Sequence, residues 1–321
     1  MFQNLRLSCY RLQLRALEPV KLPPFSGGTL RGALASTFRR LTCQQPDREE
    51  CDGCMLERVC AFAAVFQPSP PEGAPNTVGF EKFPRPFAVV PPPAGHSNYP
   101  EGTRLDAGLT LVGSGNEFLP YFLLALNELA SAGIGAGRSA VAVERVVAYH
   151  PFTGESEPVW EGRNTPVRST GIAVTWEDAV ARAAELPEET ATIRFLTPTC
   201  LKVGGTVLSR PDFPALVRCL LRRVSRLAQG YCGGASPLDY ASLIRQAEGI
   251  RIVASDLHER QWERHSYRQQ RRIPSRGITG TITYAGPLRP FLPLVLIGGL
   301  VHIGDNAALG QGRYEVVVPG G

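Results

Sequence analysis

The chain has 321 residues, 43% of them hydrophobic and 20% charged, which excludes a disordered chain and leaves material for two domains of ordinary size. No run of about 18 apolar residues occurs, and the opening MFQNLRLSCYRLQL alternates instead of forming a basic flank and an apolar block. A soluble, cytoplasmic protein with no membrane partner is therefore expected. The net charge of +5 is unevenly spread: residues 201–321 hold 16 Arg or Lys against 8 Asp or Glu, so they carry +8 and the first 200 carry −3.

In chain order, LRLSCYRLQLRAL alternates as a half-buried strand, and after Gly27-Gly28 the segment LRGALASTFRRL reads as a helix. Four of the eight cysteines follow at once: Cys43, Cys51, Cys54 and Cys60, spaced x7, x2 and x5, while Cys9, Cys200, Cys219 and Cys232 are scattered. A secreted disulfide framework is not patterned this way. The C-x-x-C around Asp52-Gly53 can chelate an ion from a tight turn, and four thiolates leave no open position, so the expectation is a structural zinc site. An iron–sulfur cluster is the lesser reading, with disulfides or free thiols behind it. No catalytic metal is expected. Residues 67–101 are rich in proline and read as irregular.

Next comes a long-period repeat. Residues 105–146 run LDAGLTLVG, FLP, an apolar helical stretch, IGAGR and an alternating strand; residues 278–318 run ITGTITYAG, FLP, an apolar stretch, LGQGR and YEVVV. A glycine (Gly113, Gly286) stands five residues before a phenylalanine (Phe118, Phe291) in each copy. Between the copies a short helix is expected over Trp176–Leu186, then the strand TATIRFLTPTCL, Gly204-Gly205, and the amphipathic helix of FPALVRCLLRRVSRL with Leu216, Leu220, Leu221, Val224 and Leu227 on one face. Each half thus reads βαββαβ. The fold class expected is α+β, with two tandem ferredoxin-like domains over 1–165 and 166–321. An insertion at about 43–101 in the first carries the four-cysteine site.

Between Arg260 and Arg276 lie six arginines, among them Arg264, Arg268, Arg271, Arg272 and Arg276, interleaved with Trp262, His258, His265 and Tyr267. Guanidinium forks suit phosphates and aromatic faces suit bases, so this stretch is the expected RNA-binding surface; a solvated charged strand or loop is the alternative. The Gly-x-Gly-Arg loops ending at Arg138 and Arg313 follow a helix and precede a strand, the reverse of a dinucleotide fingerprint. The second, with Gly310 and Gly312, is expected to let a phosphate approach backbone N–H groups beside Arg313, and Arg138 is expected to contact RNA from the first. A tight helix-to-strand turn is the alternative for both.

On IRFLTPTCLK, RHSYRQQRRIPSRGITGTITYAG, FLPLVLIGGLVHIG and LGQGRYEV, together with GTLRGAL and the cysteine segment, the chain resembles the RAMP superfamily and, within it, the CRISPR RNA-processing endoribonucleases. The resemblance implies RRM-like halves, binding and cleavage of precursor CRISPR RNA within repeats, and association with guide RNA and other CRISPR effector subunits. Two alternatives are a non-cleaving RAMP subunit that grips guide RNA and an unrelated zinc-stabilised interaction protein. The sequence departs from the family in placing Asp305 where members often have lysine, and residues 22–42 lack the histidine many members carry in the first helix. Cleavage is expected to use the RNA's own 2′-OH without a metal, giving a 2′,3′-cyclic phosphate. His302, in the family's HIG segment, is the expected proton-transfer residue, with His265 as its substitute and Arg313 stabilising charge.

Overall fold

The computed structural model describes residues 1–70, 83–93, 95, 97–163, 165–234, 238–266 and 271–317, without the side chains of 264–266, 271 and 272. The chain is α+β with antiparallel sheets, and it divides into two compact units: Leu7–Ala173 with Gly230–Cys232, and Met1–Arg6 with Val174–Gln229 and Gly233–Gly321.

The first unit holds β1 (Arg6–Ala16), α1 (Gly27–Thr42), α2 (Ala61–Phe66), β2 (Phe87–Val90), β3 (Arg104–Val112), α3 (Leu119–Asn127), β4 (Val141–Tyr149) and β5 (Ser156–Trp160). Its sheet runs β2-β3-β1-β4-β5, with every neighbour antiparallel. Phe38, Phe66, Phe87 and Phe122, one each from α1, α2, β2 and α3, form a closed set of ring contacts with centroids 5.1–5.5 Å apart. Edge-on aromatic pairs of this kind add to the stabilisation from burial alone.

One of these elements, β2, corrects the expectation of irregular structure over residues 67–101. Strand β2 is short and bracketed by prolines, which suits an edge strand, and its Phe87 and Val89 are buried. Helix α2 closes the cysteine segment and buries Phe62 and Phe66. Four-residue and six-residue elements are too short to show a period, so only the partners they pack on reveal them.

The second unit holds α4 (Trp176–Ala184), β6 (Thr190–Thr199), α5 (Phe213–Tyr231), α6 (Tyr240–Ala247), β7 (Arg251–Ser266), β8 (Arg271–Ala285), α7 (Leu292–Val301) and β9 (Tyr314–Val317). Its sheet order, β7-β8-β6-β9, repeats the pattern of the first four strands of the other sheet. Helix α5 buries Leu216, Leu220, Leu221, Val224 and Leu227, the face its spacing predicts. Helix α7 is apolar on every side, as a helix covered by protein must be. A Cβ on its Gly298 would stand 2.1 Å from Leu220 and 2.3 Å from the Tyr314 hydroxyl, so glycine lets α7 lie against both α5 and β9.

Strand β8 pairs with β6 only from Ile278 to Ala285, while it pairs with β7 along its whole length. Residues 259–266 and 271–277 therefore run past the sheet as a two-stranded ribbon. Its side chains from His258 to Gln261 are exposed.

Candidate nucleic-acid interface and cleavage site

The loop that joins α7 to β9 is built on left-handed backbone: His302 (φ +59), Gly304 (+76), Asn306 (+60), Gly310 (+80) and Gly312 (+73). Hydrogen bonds stitch it to the end of β6. The N–H of Asp305 donates to the Cys200 carbonyl at 3.0 Å, that of Gly312 to the Pro198 carbonyl at 3.1 Å, and that of Arg313 to the Thr197 hydroxyl at 2.9 Å. The Gly310 N–H donates to the Ala307 carbonyl at 3.0 Å. Both glycine N–H groups are thus engaged within the protein and both residues are buried, so as placed they shape the loop and do not present donors to a phosphate. The charge of this region is carried by the side chains around the loop.

Those side chains are mostly cationic. Arg313 is half-buried next to the loop, and Arg223 of α5 donates through Nη2 at 3.1 Å to the Val301 carbonyl, capping the end of α7. Lys202 Nζ lies 2.6 Å from Asp305 Oδ2. Beside them, Cys200 has its thiol pushed up, first by burial and then by Asp305, and it also senses Lys202 and Arg276. Arg222 donates to Cys219 Sγ at 3.8 Å, and that thiol in turn contacts the Lys202 carbonyl at 3.7 Å. Arg226 is pushed down, first by burial and then by the like charge of Arg222. Such crowding of guanidinium groups is costly unless anions relieve it.

Of the expected site residues, Arg313 and the glycine loop are held together at the end of β6, and the Arg276 charge acts on Cys200 and Lys202 beside them. The backbone of Arg264, His265, Arg271 and Arg272 lies on the ribbon, with His265 opposite Arg272, and their side chains lie outside the described residues, as does Arg268. Arg138 is exposed on the first unit, in left-handed backbone (φ +50), where the Ile134–Ser139 bridge closes a tight turn.

His302 is buried to 1% exposure, and its imidazole is pushed down to about 3, first by burial and then by the Arg313 and Arg223 charges. Its Nδ1 has no hydrogen-bond partner among the described residues. Burial and the two neighbouring cations favour the neutral ring in this position. The expected proton-transfer role for His302 thus meets a residue that packs behind the loop.

Cys43 caps the end of α1 and Cys60 caps the start of α2, and all four cysteines line one small cavity with Arg39, Arg48 and Glu57. The Cys54 N–H donates to the Cys51 carbonyl at 2.9 Å, and the Gln67 side chain accepts from the Cys51 N–H at 3.1 Å. The Cys51 thiol is pushed up to about 11, first by burial and then by Cys60 and Cys43, with Arg39 opposing. All four are free thiols, and among the described residues no group of three or more His, Cys, Asp or Glu is already gathered as a metal site. No helix of the described residues is long and apolar enough to cross a membrane.

Sequence reasoning missed Lys202, Arg222, Arg223 and Arg226. A signal existed for the arginines, since Arg218, Arg222 and Arg226 recur every fourth residue along α5.

A family model for an N-terminal domain, AF_1859_N, matches residues 5–172, and the model of the CRISPR-associated endoribonuclease Cas6 matches residues 193–314. Among solved structures, a Cas6 product complex is 20% identical with a TM-score of 0.57, covering 97% of this chain and 99% of its own. Thermus thermophilus Cas6 is 18% identical with a TM-score of 0.56, covering 98% and 99%. A partial Cas6-RT-Cas1--Cas2 complex is 12% identical with a TM-score of 0.60, covering 98% of this chain and 46% of that one. At these identities the likeness is one of fold. No curated protein sequence matches the chain.

Proposed function

Because this chain belongs to the Cas6 family of CRISPR-associated endoribonucleases, which process CRISPR RNA, we propose that it grips the repeat along the ribbon and the basic rim of the glycine loop, and cuts there. The observation that carries this placement is the convergence of Lys202, Arg276 and Arg313 on one loop, with Asp305 as the acidic side chain among them. Both sheets share the strand order of a ferredoxin-like βαββαβ unit, which supports tandem domains of that kind, about 1–165 and 166–321.

The reaction uses the RNA's own nucleophile. The 2′ oxygen attacks the adjacent phosphorus, the P–O5′ bond breaks, and the products are a 2′,3′-cyclic phosphate and a 5′-OH. Arg313 and Arg276 offset the charge that grows on the phosphorus oxygens. His265, whose backbone lies on the ribbon, takes the proton-transfer role, since imidazole is the side chain whose ordinary pKa lies closest to neutral pH. His302 positions the loop from behind.

The test is a CRISPR repeat RNA incubated with purified protein in EDTA. One cut with a cyclic phosphate end is the expected result. Tight binding without cutting would favour the guide-gripping subunit instead.

The cysteine cavity supports a structural zinc ion held by Cys43, Cys51, Cys54 and Cys60, each thiolate drawn in on binding. Its chemistry would be structural only, fixing the segment between α1 and α2. A relative described in a complex with Cas1 and Cas2 supports the reading that this chain works beside other CRISPR proteins and hands on its RNA.

A further inference from the structure

Lys202 is the single lysine among residues 201–321, in a half of the chain that otherwise uses arginine for its positive charge. It sits where the end of β6 meets the glycine loop, and its Nζ lies 2.6 Å from Asp305 Oδ2 with both side chains near half exposure. Backbone contacts fix both partners. Asp305 is held by the Cys200 carbonyl. Lys202 opens a tight hairpin with Val203, paired to Thr206–Val207 across Gly204 and Gly205, both in left-handed backbone, and its carbonyl contacts Cys219 of α5.

A half-exposed ion pair of this kind contributes little to stability, so folding alone is a weak reason for it. A fixed carboxylate does something else: it holds a flexible four-carbon amine at one point. Arg276 stands close enough to act on Lys202 electrostatically, so the place where Asp305 aims the ammonium already carries a second cation. An oxyanion arriving there would meet a compact ammonium and a guanidinium together.

We propose that Lys202 is a catalytic residue that contacts the scissile phosphate, and that Asp305 is the positioning residue that aims it. The inference rests on the cleavage reading above and adds a group to it. As the 2′ oxygen bonds to phosphorus, a non-bridging oxygen gains negative charge and the Lys202 ammonium donates a hydrogen bond to it. Lys202 keeps its proton throughout. The 2′-OH gives its proton to the His265 imidazole, the P–O5′ bond breaks with its electron pair going to the 5′ oxygen, and that oxygen takes the proton from the His265 imidazolium.

The experiment measures single-turnover cutting and affinity for a repeat RNA with the full chain. Lys202→Ala should slow cutting by about 10²-fold, as loss of one transition-state donor does, with affinity falling only a few-fold. Asp305→Asn removes negative charge from an RNA-binding rim, so affinity should hold or rise while cutting slows; a merely structural residue would not split the two readouts this way. The exchange of both residues, Lys202→Asp with Asp305→Lys, should recover part of the rate lost in Lys202→Ala. Wild-type cutting matched by Lys202→Ala, with Arg313→Ala slowed, would overturn this assignment alone. Parallel losses of rate, affinity and melting temperature in Asp305→Asn would make that residue structural and overturn its aiming role. A wild-type protein that leaves the repeat whole would instead overturn the cleavage reading on which the assignment rests.

Discussion

Gly312 and Ile303 lock the glycine loop shut: the Ile303 N–H donates to the Gly312 carbonyl at 3.0 Å, and a Cβ on Gly312 would stand 1.7 Å from the Ile303 carbonyl oxygen. With φ at +73, residue 312 must be glycine on two independent grounds. Gly312→Ala should therefore cost at least about 1–3 kcal/mol for left-handed backbone alone, plus the displacement of Ile303. Chemical denaturation checks the cost, and an unchanged midpoint would contradict this packing.

His302 links the same loop to pH. Its imidazole is pushed down to about 3 in the folded protein, below the ordinary value near 6.5 that it regains on unfolding. Between those values the unfolded chain binds the extra proton. The stability from burying the neutral ring is complete above pH 6.5 and is lost as pH falls toward 3, with a slope of up to about 1.4 kcal/mol per pH unit. Comparing wild type with His302→Leu in urea melts from pH 7 to pH 4 should show the wild type losing more. Above pH 5 the cutting rate should carry no ionisation from His302. A step in the rate profile that disappears in this variant would restore it as a proton carrier.

RNA affinity should follow counterion release. Replacing Arg276 or Arg313 with alanine should reduce the slope of log affinity against log salt by about one unit each. Equal slopes in the wild type and both variants would move the phosphate track away from the glycine loop.

For the cysteines, elemental analysis of freshly purified, reduced protein should find about one zinc per chain, from the four-thiolate chemistry of such sites. Cys54→Ser should lower that occupancy and loosen α2 while leaving repeat cutting measurable. Metal-free wild-type protein with four titratable thiols in the segment would contradict the site.

Much of the architecture was legible because repetition amplifies weak signals. Phe118 and Phe291 stand just before α3 and α7, each with a proline in the first turn, which is the arrangement that the two FLP segments imply. The hidden parts depend on contacts between distant segments. The Phe87–Val90 strand gains its identity from pairing with β3, and His302 is buried only because α7, the loop and Arg223 close around it. Lys202 and Asp305 sit on opposite sides of α5 in sequence, and no local pattern links them. The Gly310 and Gly312 N–H groups looked available to phosphate because their acceptors, Ala307 and Pro198, become apparent only once the loop is closed.

The ribbon formed by residues 259–266 and 271–277 has one further consequence. A two-stranded hairpin unsupported by a third strand or a helix is marginal in water, so local opening should grow easier along β8 from Ile282 toward Arg271. Amide hydrogen exchange is expected to follow that gradient, slow where β6 flanks the strand and fast beyond Gly277. Bound RNA would then serve as the missing third strand's substitute. Part of its binding energy would be spent on ordering the ribbon, and protection would spread outward from the sheet as the complex forms.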